Sequence, residues 1–521
     1  MDCLRLHRYG DDGRNGPVAP VGQTAIVPSP AFPPSLPCPP RNPPMSLSRR
    51  QFLHRSTAAA ASLALPMVAA RSVLGANDEI RVGVIGLGVR GVGAHVPGFE
   101  SLEGVRVTAV CDPDRQRLDA CSKMIEDTYK HKVETFKDLR DLIARKEIDA
   151  VAVATMQYWH ALPTIWACQA GKHVYCEKPL SHFIWEGQQM VRASRKYNRL
   201  VQVGTQRRSS TRVRRAIDYV RSGELGKIQY VVAFANKMRA PIGKRSKPLA
   251  IPDSLDYELW CGPARKEPLY RDRIQYDCSF TWNMGDGESC NQGVHEIDVA
   301  RWLLGETSLP RRVMSVGGRF CFDDAGDVPN TQIIYYDYPS APVLYEVHNM
   351  RAAKGSQAIP HFRGARTDVC AQCEGGYVMM ISGFAYDNAG KKIKSFSGGE
   401  NPFGNLVAAM RSGRQEDLCA DVLEGHRSTA VTHTGNISYR LGKNAASGEI
   451  REQIGDTPLF QDMYTRFEEH LKSHEVDVDS KNITLGPWLE IDRENECFKD
   501  HAEANRLVRG TYRPEWIIPE I

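Results

Sequence analysis

Arg81-Val82-Gly83-Val84-Ile85-Gly86-Leu87-Gly88-Val89-Arg90-Gly91 reads as a strand running straight into a glycine-rich turn. Arg81 to Ile85 are mostly apolar and β-branched, as a strand covered on both faces requires. Gly86, Gly88 and Gly91 then fall at the G-x-G-x-x-G spacing. The first glycine permits a tight turn, the second lets a pyrophosphate approach the backbone, and the third allows close packing of helix on strand. The helix N-terminus that follows offers free N–H groups and a positive dipole end to phosphates. A second apolar strand, Val105 to Val110, ends in Cys111-Asp112. Asp112 follows the glycines at the separation of about 20 residues at which a carboxylate bonds a ribose 2′-hydroxyl.

Outward from this stretch, strand and helix patterns alternate as far as Gly204. Strands are expected at 80–85, 105–110, 149–154, 173–176 and 200–203, with helices at Pro113–Tyr129 and Pro163–Ala170. Such alternation gives a parallel sheet with helices on both faces. After residue 210 the pattern changes. A helix at Val213–Ser222 precedes long alternating strands at Ile228–Ala235, Arg312–Arg319, Thr331–Asp337, Val343–Met350 and Tyr377–Tyr386. These suggest an antiparallel sheet with one open face. Helices at Asn405–Ser412 and Ala420–Ser438 are expected to pack back onto the first domain. The fold class is therefore α/β: an N-terminal Rossmann dinucleotide-binding domain (78–204), then an α+β domain with a large, mainly antiparallel open sheet (205–450). Residues 451–521 read as a charged, irregular extension with no assigned function.

The chain has 521 residues, too many for one core. Net charge is +5 from 67 basic and 62 acidic residues, and no long basic run stands out, so nucleic acid is not an expected partner. Among 14 cysteines, Cys370-Ala371-Gln372-Cys373 is the close pair of the folded part. With no second pair and no histidine cluster beside it, no metal site is expected. The sequence does not choose between a loop-tip disulfide and two unpaired thiols.

Residues 1–44 are rich in Pro and Gly and lack periodicity, as a disordered or mis-assigned leader does. At 45–76, Ser48-Arg49-Arg50-Gln51-Phe52-Leu53 precedes an apolar run from Thr57 to Ala70 and small residues near Leu74-Gly75-Ala76. This is the layout of a twin-arginine signal peptide. The run is too short for a membrane span. Periplasmic or other export of a folded, cofactor-loaded protein follows as an expectation, with no membrane insertion after signal removal. Because little free nicotinamide nucleotide is present outside the inner membrane, a tightly held and internally regenerated cofactor is also expected.

Val174-Tyr175-Cys176-Glu177-Lys178-Pro179 places a lysine at the carboxyl end of a strand, where open α/β sheets bind ligands. Such a lysine can donate a proton or hydrogen bond to a developing alkoxide, and Glu177 beside it can orient the amine. The glycine fingerprint, Ala154-Thr155 with His160, and Glu177-Lys178-Pro179 together resemble the Gfo/Idh/MocA oxidoreductase family. Val203-Gly204-Thr205-Gln206-Arg207, Leu259-Trp260-Cys261-Gly262-Pro263, Asn291-Gln292-Gly293-Val294-His295-Glu296-Ile297-Asp298 and Glu424-Gly425-His426-Arg427 extend the resemblance from Ile80 to Leu441.

The resemblance implies roles residue by residue. Gly86, Gly88 and Gly91 hold the pyrophosphate, with Arg90 near it. Asp112 selects NAD over NADP, and Arg115 nearby softens that choice. Thr155 and His160 line the nicotinamide side, although for His160 alone a structural histidine is the better reading. Glu177 and Gln206 also lie on the cofactor side. Lys178 contacts the oxygen of the reacting carbon and the nicotinamide ribose, and His295 is the acid/base for the hydroxyl proton. Where many dehydrogenases of the family have an aspartate, this chain has Asn291, which cannot act as a base. Either Lys178 and His295 suffice, or Asp286, Glu288 or Asp298 helps, or simple alcohol oxidation is not the net reaction. Asp298, one turn beyond His295, either orients it or has a helix-capping or surface role.

The expected activity is an exported NAD(P)-dependent oxidoreductase acting on a sugar, polyol or related carbohydrate. The alternatives are a redox-neutral, NAD-dependent glycoside hydrolase and a non-catalytic carbohydrate-binding relic. Homo-oligomers are implied by the resemblance, with the open face of the second sheet as interface. That face is equally compatible with packing against 240–290. The aromatics there (Trp260, Tyr270, Tyr276, Phe280, Trp282) read evenly as sugar platforms or core.

Overall fold

The computed structural model describes residues 79–521. The signal-peptide reading and the leader lie outside the described residues. The first sheet has six strands: β1 (Ile80–Ile85), β2 (Val105–Cys111), β3 (Glu134–Phe136), β4 (Ala150–Val153), β5 (His173–Cys176) and β6 (Val201–Val203). They are ordered β3-β2-β1-β4-β5-β6 and every pair is parallel. This is the doubly wound order, whose ligand crevice opens where the strand order reverses, between β1 and β4. β1 carries the burial expected of a central strand, with only Arg81 exposed. The first helix after β2 begins at Arg115 because the Asp114 carboxylate accepts from the Gln116 amide 3.0 Å away and caps it.

The second sheet has twelve strands: β7 (Ile228–Asn236), β8 (Arg312–Gly318), β9 (Thr331–Asp337), β10 (Val343–His348), β11 (Thr367–Cys373), β12 (Gly376–Met379), β13 (Phe384–Asp387), β14 (Lys392–Ser395), β15 (Lys443–Ala445), β16 (Ile483–Leu485), β17 (Leu489–Asp492) and β18 (Cys497–Phe498). The order is β14-β13-β12-β11-β7-β10-β9-β8-β16-β15, with β17 joining β8 and β18 joining β17. All pairs are antiparallel except β7 with β10. The expected single strand Tyr377–Tyr386 is a hairpin, β12 and β13, turning through Gly383 at φ +78°.

The expected open face is not open. Alternate residues of the central strands serve two cores. Val231, Ala233, Val313, Ile334, Tyr336, Val343 and Tyr345 share one core with residues of the helices Thr211–Arg221, Gly293–Leu304 and Val422–Arg440. Val232, Phe234, Met314, Val316, Ile333, Tyr335 and Leu344 face the other way. They pack under the helices Ser447–Ile454 and Pro458–Ser473, which contribute Ile450, Ile454, Phe460, Met463, Tyr464, Phe467 and Leu471, all buried. Each such side chain stabilises the fold by roughly 1.5–3 kcal/mol. The segment read as an irregular surface extension is therefore a third layer. Over its central strands, the face assigned to an oligomer interface is occupied by the chain itself.

Cys370 and Cys373 are both free and buried. An odd spacing on one strand sends their side chains to opposite faces, and they lie in the two different cores. That removes the disulfide alternative. As expected, the helix Pro402–Ser412 packs on the first sheet through Leu406, Val407, Ala409 and Met410.

Candidate active site

The glycine turn leaves β1 with Gly86 at φ +92°, a conformation that side-chain-bearing residues avoid. A Cβ on Gly86 would lie 2.8 Å from the Ala154 carbonyl group. On Gly91 it would lie 2.0 Å from the Gly86 oxygen, so helix and strand meet where only glycine fits. At Gly88 a Cβ would meet nothing closer than 3.9 Å, which leaves the middle of the turn accessible to a ligand. Asp112 sits at the end of β2, accepting from the Leu87 amide at 2.7 Å and the Asp114 amide at 3.0 Å. Burial pushes its pKa up, more than those two amides and the Arg117 charge pull it down. Arg117, not the exposed Arg115, is the arginine facing the turn, donating to the Leu87 carbonyl at 3.4 Å.

Glu177 is buried and holds backbone and loop rather than the Lys178 amine. Its Oε1 accepts from Arg90 Nε at 2.7 Å and lies 3.0 Å from His95 Nε2, while Oε2 accepts from the Lys178 amide at 3.3 Å. Burial alone would raise its pKa. The His95 hydrogen bond and the charges of His95, Arg90 and Lys178 outweigh burial and hold the carboxylate ionised. The expectation that Glu177 orients the amine is thus corrected: Asn291 does so. Lys178 Nζ donates to the Asn291 backbone carbonyl at 2.7 Å and to its Oδ1 at 3.1 Å. Asn291 Nδ2 in turn donates to Glu288 Oε2 at 3.2 Å. Glu288 is nearly inaccessible and receives two bonds from Arg239. An aspartate at 291 would set two carboxylates against each other; asparagine presents an acceptor to lysine and a donor to glutamate.

His295 lies half-buried on the helix Gly293–Leu304, and its Nδ1 is buried without a hydrogen-bond partner. Burial first, and then the nearby Lys178 ammonium, hold His295 well below the usual imidazole range. At neutral pH it is an uncharged proton acceptor. Lys178 is itself lowered, by burial against the opposing pull of Glu177 and Glu288.

Asp298 does not reach this histidine. Its carboxylate takes Arg208 Nε at 2.9 Å and Ser428 Oγ at 2.7 Å, fully buried. His160 is likewise a clamp: Nδ1 lies 2.7 Å from the Pro179 carbonyl and Nε2 3.1 Å from the Thr155 carbonyl. It ties the β4 loop to the β5 loop rather than presenting a nitrogen to the crevice. Thr155 and Thr205 each have a buried hydroxyl without a partner, and Gln206 begins the turn that follows. These orphaned hydroxyls, the cradle at Gly86 and Gly91 and the carboxylate of Asp112 fit a dinucleotide.

The sequence reading missed the wall beside Lys178. Lys237 Nζ bonds Gln292 Oε1, whose Nε2 donates to Glu296 Oε1 at 2.9 Å. Tyr276 is 44% exposed, with the Arg239 guanidinium 5.6 Å from its ring centre and Asn291 within hydrogen-bonding reach. Of the aromatics at 240–290, Trp260 and Phe280 are core, whereas Tyr270 and Tyr276 are surface. Only topology brings residues 237–239, 276 and 288–296 to β5.

Fold and site define a dinucleotide-binding enzyme with a second sheet behind the nucleotide domain. The chain belongs to the Gfo/Idh/MocA oxidoreductase family: the model of its NAD-binding Rossmann fold matches residues 80–205, and that of its C-terminal alpha/beta domain matches 210–458. Among relatives, a "Glycosyl hydrolase family 109 protein 2" of Shewanella sp. (strain ANA-3) is 37% identical over 159 residues, 26% of this chain and 35% of its own. An "Inositol 2-dehydrogenase/D-chiro-inositol 3-dehydrogenase" of Shouchella clausii is 29% identical over 237 residues, 45% of this chain and 56% of its own. The matches thus span about a third to a half of these relatives. The WlbA dehydrogenase of Bordetella pertussis, solved with NADH and UDP-GlcNAcA, shares the fold at TM-score 0.50 and 19% identity, covering 68% of this chain and 95% of that one. An oxidoreductase of Thermotoga maritima does so at TM-score 0.52 and 17% identity, covering 69% and 96%. Among the described residues no helix is long and apolar enough to cross a membrane.

Proposed function

We propose that this protein uses NAD to act on a carbohydrate, moving hydride between a sugar carbon and the nicotinamide. The observation that carries the reading is the Lys178 amine held by Asn291 at the end of β5, beside a His295 that burial and the Lys178 charge keep below the usual imidazole range. The nicotinamide, when bound, supplies the hydride acceptor or donor. Gly86, Gly88 and Gly91 would hold the pyrophosphate, Asp112 the ribose diol, and the Thr155 and Thr205 hydroxyls other polar groups of the cofactor. Asp112 supports NAD over NADP, since a buried carboxylate repels a 2′-phosphate. Lys178 donates a hydrogen bond to the substrate oxygen, and His295 takes the hydroxyl proton. The Asn291–Glu288–Arg239 chain keeps the amine aimed. The twin-arginine pattern supports export, and with it a cofactor retained through the cycle. Self-association, implied by the family resemblance, would use surface outside the covered central strands.

A second reading, redox-neutral glycoside hydrolysis, has its own support. Tyr276 adds a phenol beside Asn291; burial pushes its pKa up to about 12, so it would serve as a hydrogen-bond donor to a glycosidic oxygen. The hydrolase-named relative is 37% identical over 159 residues. One experiment separates the two: incubation with 4-nitrophenyl glycosides and free sugars, following nitrophenol and nicotinamide absorbance together. Net oxidation accumulates NADH in step with product. The redox-neutral cycle releases nitrophenol with no net NADH. Lys178→Met should abolish either signal while the protein stays folded; full activity in that variant would refute both readings.

A further inference from the structure

Directly behind the Lys178 loop lies a buried group that the reaction does not use. Asp286 precedes the short helix Gly287–Asn291 as its N-cap residue and Cys290 stands one turn further on, near its end, while His433 reaches them from the helix Val422–Arg440. One carboxylate oxygen, the thiol sulfur and one imidazole nitrogen all lie within 4.8 Å of one another. Cys290 Sγ is 3.7 Å from His433 Nδ1, and Asp286 Oδ1 is 4.0 Å from the same nitrogen. All three residues are at most 5% exposed.

The hydrogen-bond inventory here is short of protons. His433 Nε2 lies 3.0 Å from the Ser181 carbonyl, which can only accept, so the ring proton sits on Nε2 and Nδ1 is a bare lone pair. That lone pair faces a carboxylate oxygen and a sulfur. The Thr432 hydroxyl spends its proton on the Thr429 carbonyl at 2.7 Å, so its 3.1 Å contact with Cys290 needs the thiol proton. One thiol proton cannot serve both Thr432 and His433. Asn436 Nδ2 donates to Cys290 Sγ at 3.4 Å and to the Asp286 carbonyl at 2.8 Å, the way outer groups stabilise a thiolate. The far oxygen of Asp286 is bonded by His182 Nδ1 at 3.0 Å.

We propose that Asp286, Cys290 and His433 bind a divalent transition metal of the zinc class. One carboxylate, one thiolate and one neutral imidazole form a borderline-soft set, and two negative ligands cancel the charge of the ion. Tetrahedral coordination at about 2.0–2.3 Å places ligand atoms roughly 3.3–3.6 Å apart, so the group need contract only by a few tenths of an ångström to about one ångström. Ser181, His182 and Asn436 are the outer shell that fixes the ligands. Binding releases the Cys290 proton, so affinity falls with falling pH. The ion would lock Cys290, and therefore the next residue, Asn291, against the helix Val422–Arg440. It acts as a positioning element and touches no substrate.

The test is elemental analysis of the untagged full chain, purified without chelators after growth with added zinc, alongside reconstitution with Co²⁺. The parent should carry about one equivalent of zinc, and the cobalt form should show the near-ultraviolet absorption of a cobalt–thiolate bond. Cys290→Ser and His433→Gln should each lower bound metal by about tenfold or more. A parent without zinc and without the cobalt–thiolate band would overturn the proposal, as would variants that keep the full metal content. Should the variants not fold, the cobalt spectrum of the parent decides alone.

Discussion

Asn291→Asp is the substitution that most sharply tests how the lysine is held. It replaces a group matched to two charged neighbours with one matched to a single neighbour. The new carboxylate lies where Lys178 Nζ is 3.1 Å from one oxygen and Glu288 Oε2 is 3.2 Å from the other. At an effective dielectric of about 20, each of these charge pairs is worth roughly 5 kcal/mol, attraction and repulsion nearly cancelling. What remains is the lost Nδ2 donor to a charged acceptor, about 1.5–3 kcal/mol, plus the desolvation of a further buried charge. The pair of carboxyls would therefore keep a proton in the native state that the unfolded chain gives up. Native protein binding more protons means stability falls as pH rises. The variant should be less stable than the parent by about 2–4 kcal/mol at pH 8 and should recover much of that deficit near pH 5, read by denaturant unfolding at both pH values. Adding Glu288→Gln should restore part of the loss, since the amide can donate to the new carboxylate. A variant as stable as the parent at pH 8 would refute the assignment of Asn291 as the bridge between Lys178 and Glu288.

Gly91→Ala forces a methyl group 2.0 Å from the Gly86 oxygen; it should cost about 1–3 kcal/mol or more and abolish nucleotide binding by titration calorimetry. Arg208→Ala strands the buried Asp298 carboxylate, with a loss of about 3–5 kcal/mol in denaturant unfolding; a neutral outcome would show that the pair is dispensable. Glu296 is pushed up to about 8 by burial, and its second oxygen has no partner. A raised native pKa means stability is lost as pH rises from about 4.5 to about 8, so Glu296→Gln should flatten that slope and be the more stable form at pH 8, by on the order of a few kcal/mol. Coincident pH profiles would contradict that burial.

What the sequence made legible is local. The glycine turn, β5 with its terminal lysine and the alternation of strand and helix in the first domain all rest on short contiguous patterns. β3 escaped notice because Glu134–Phe136 is three residues long with an exposed, polar character. The helix Pro458–Ser473 escaped because its charged residues raise the mean polarity. Yet Phe460, Met463, Tyr464, Phe467 and Leu471 recur at helical spacing, the signal that identifies it. Asp298 was misplaced for a different reason. Its spacing from His295 is correct for contact, but Arg208 comes from far along the chain and competes better for a buried carboxylate. Glu177 failed likewise, since adjacency in sequence at a strand end sends neighbouring side chains to opposite sides. Asn291 was noticed as a departure, and its reason became visible only once Glu288 and Lys178 were seen on its two sides.

The central claim is that this crevice holds a nicotinamide dinucleotide, and the most direct measurement is the nucleotide carried by the purified protein. Denaturation followed by chromatography of the supernatant, together with titration of NAD and NADP into the stripped protein, decides it. The account predicts NAD(H) near one equivalent, or NAD bound in clear preference to NADP with the preference lost in Asp112→Ala. Neither nucleotide released and neither bound on titration would contradict it.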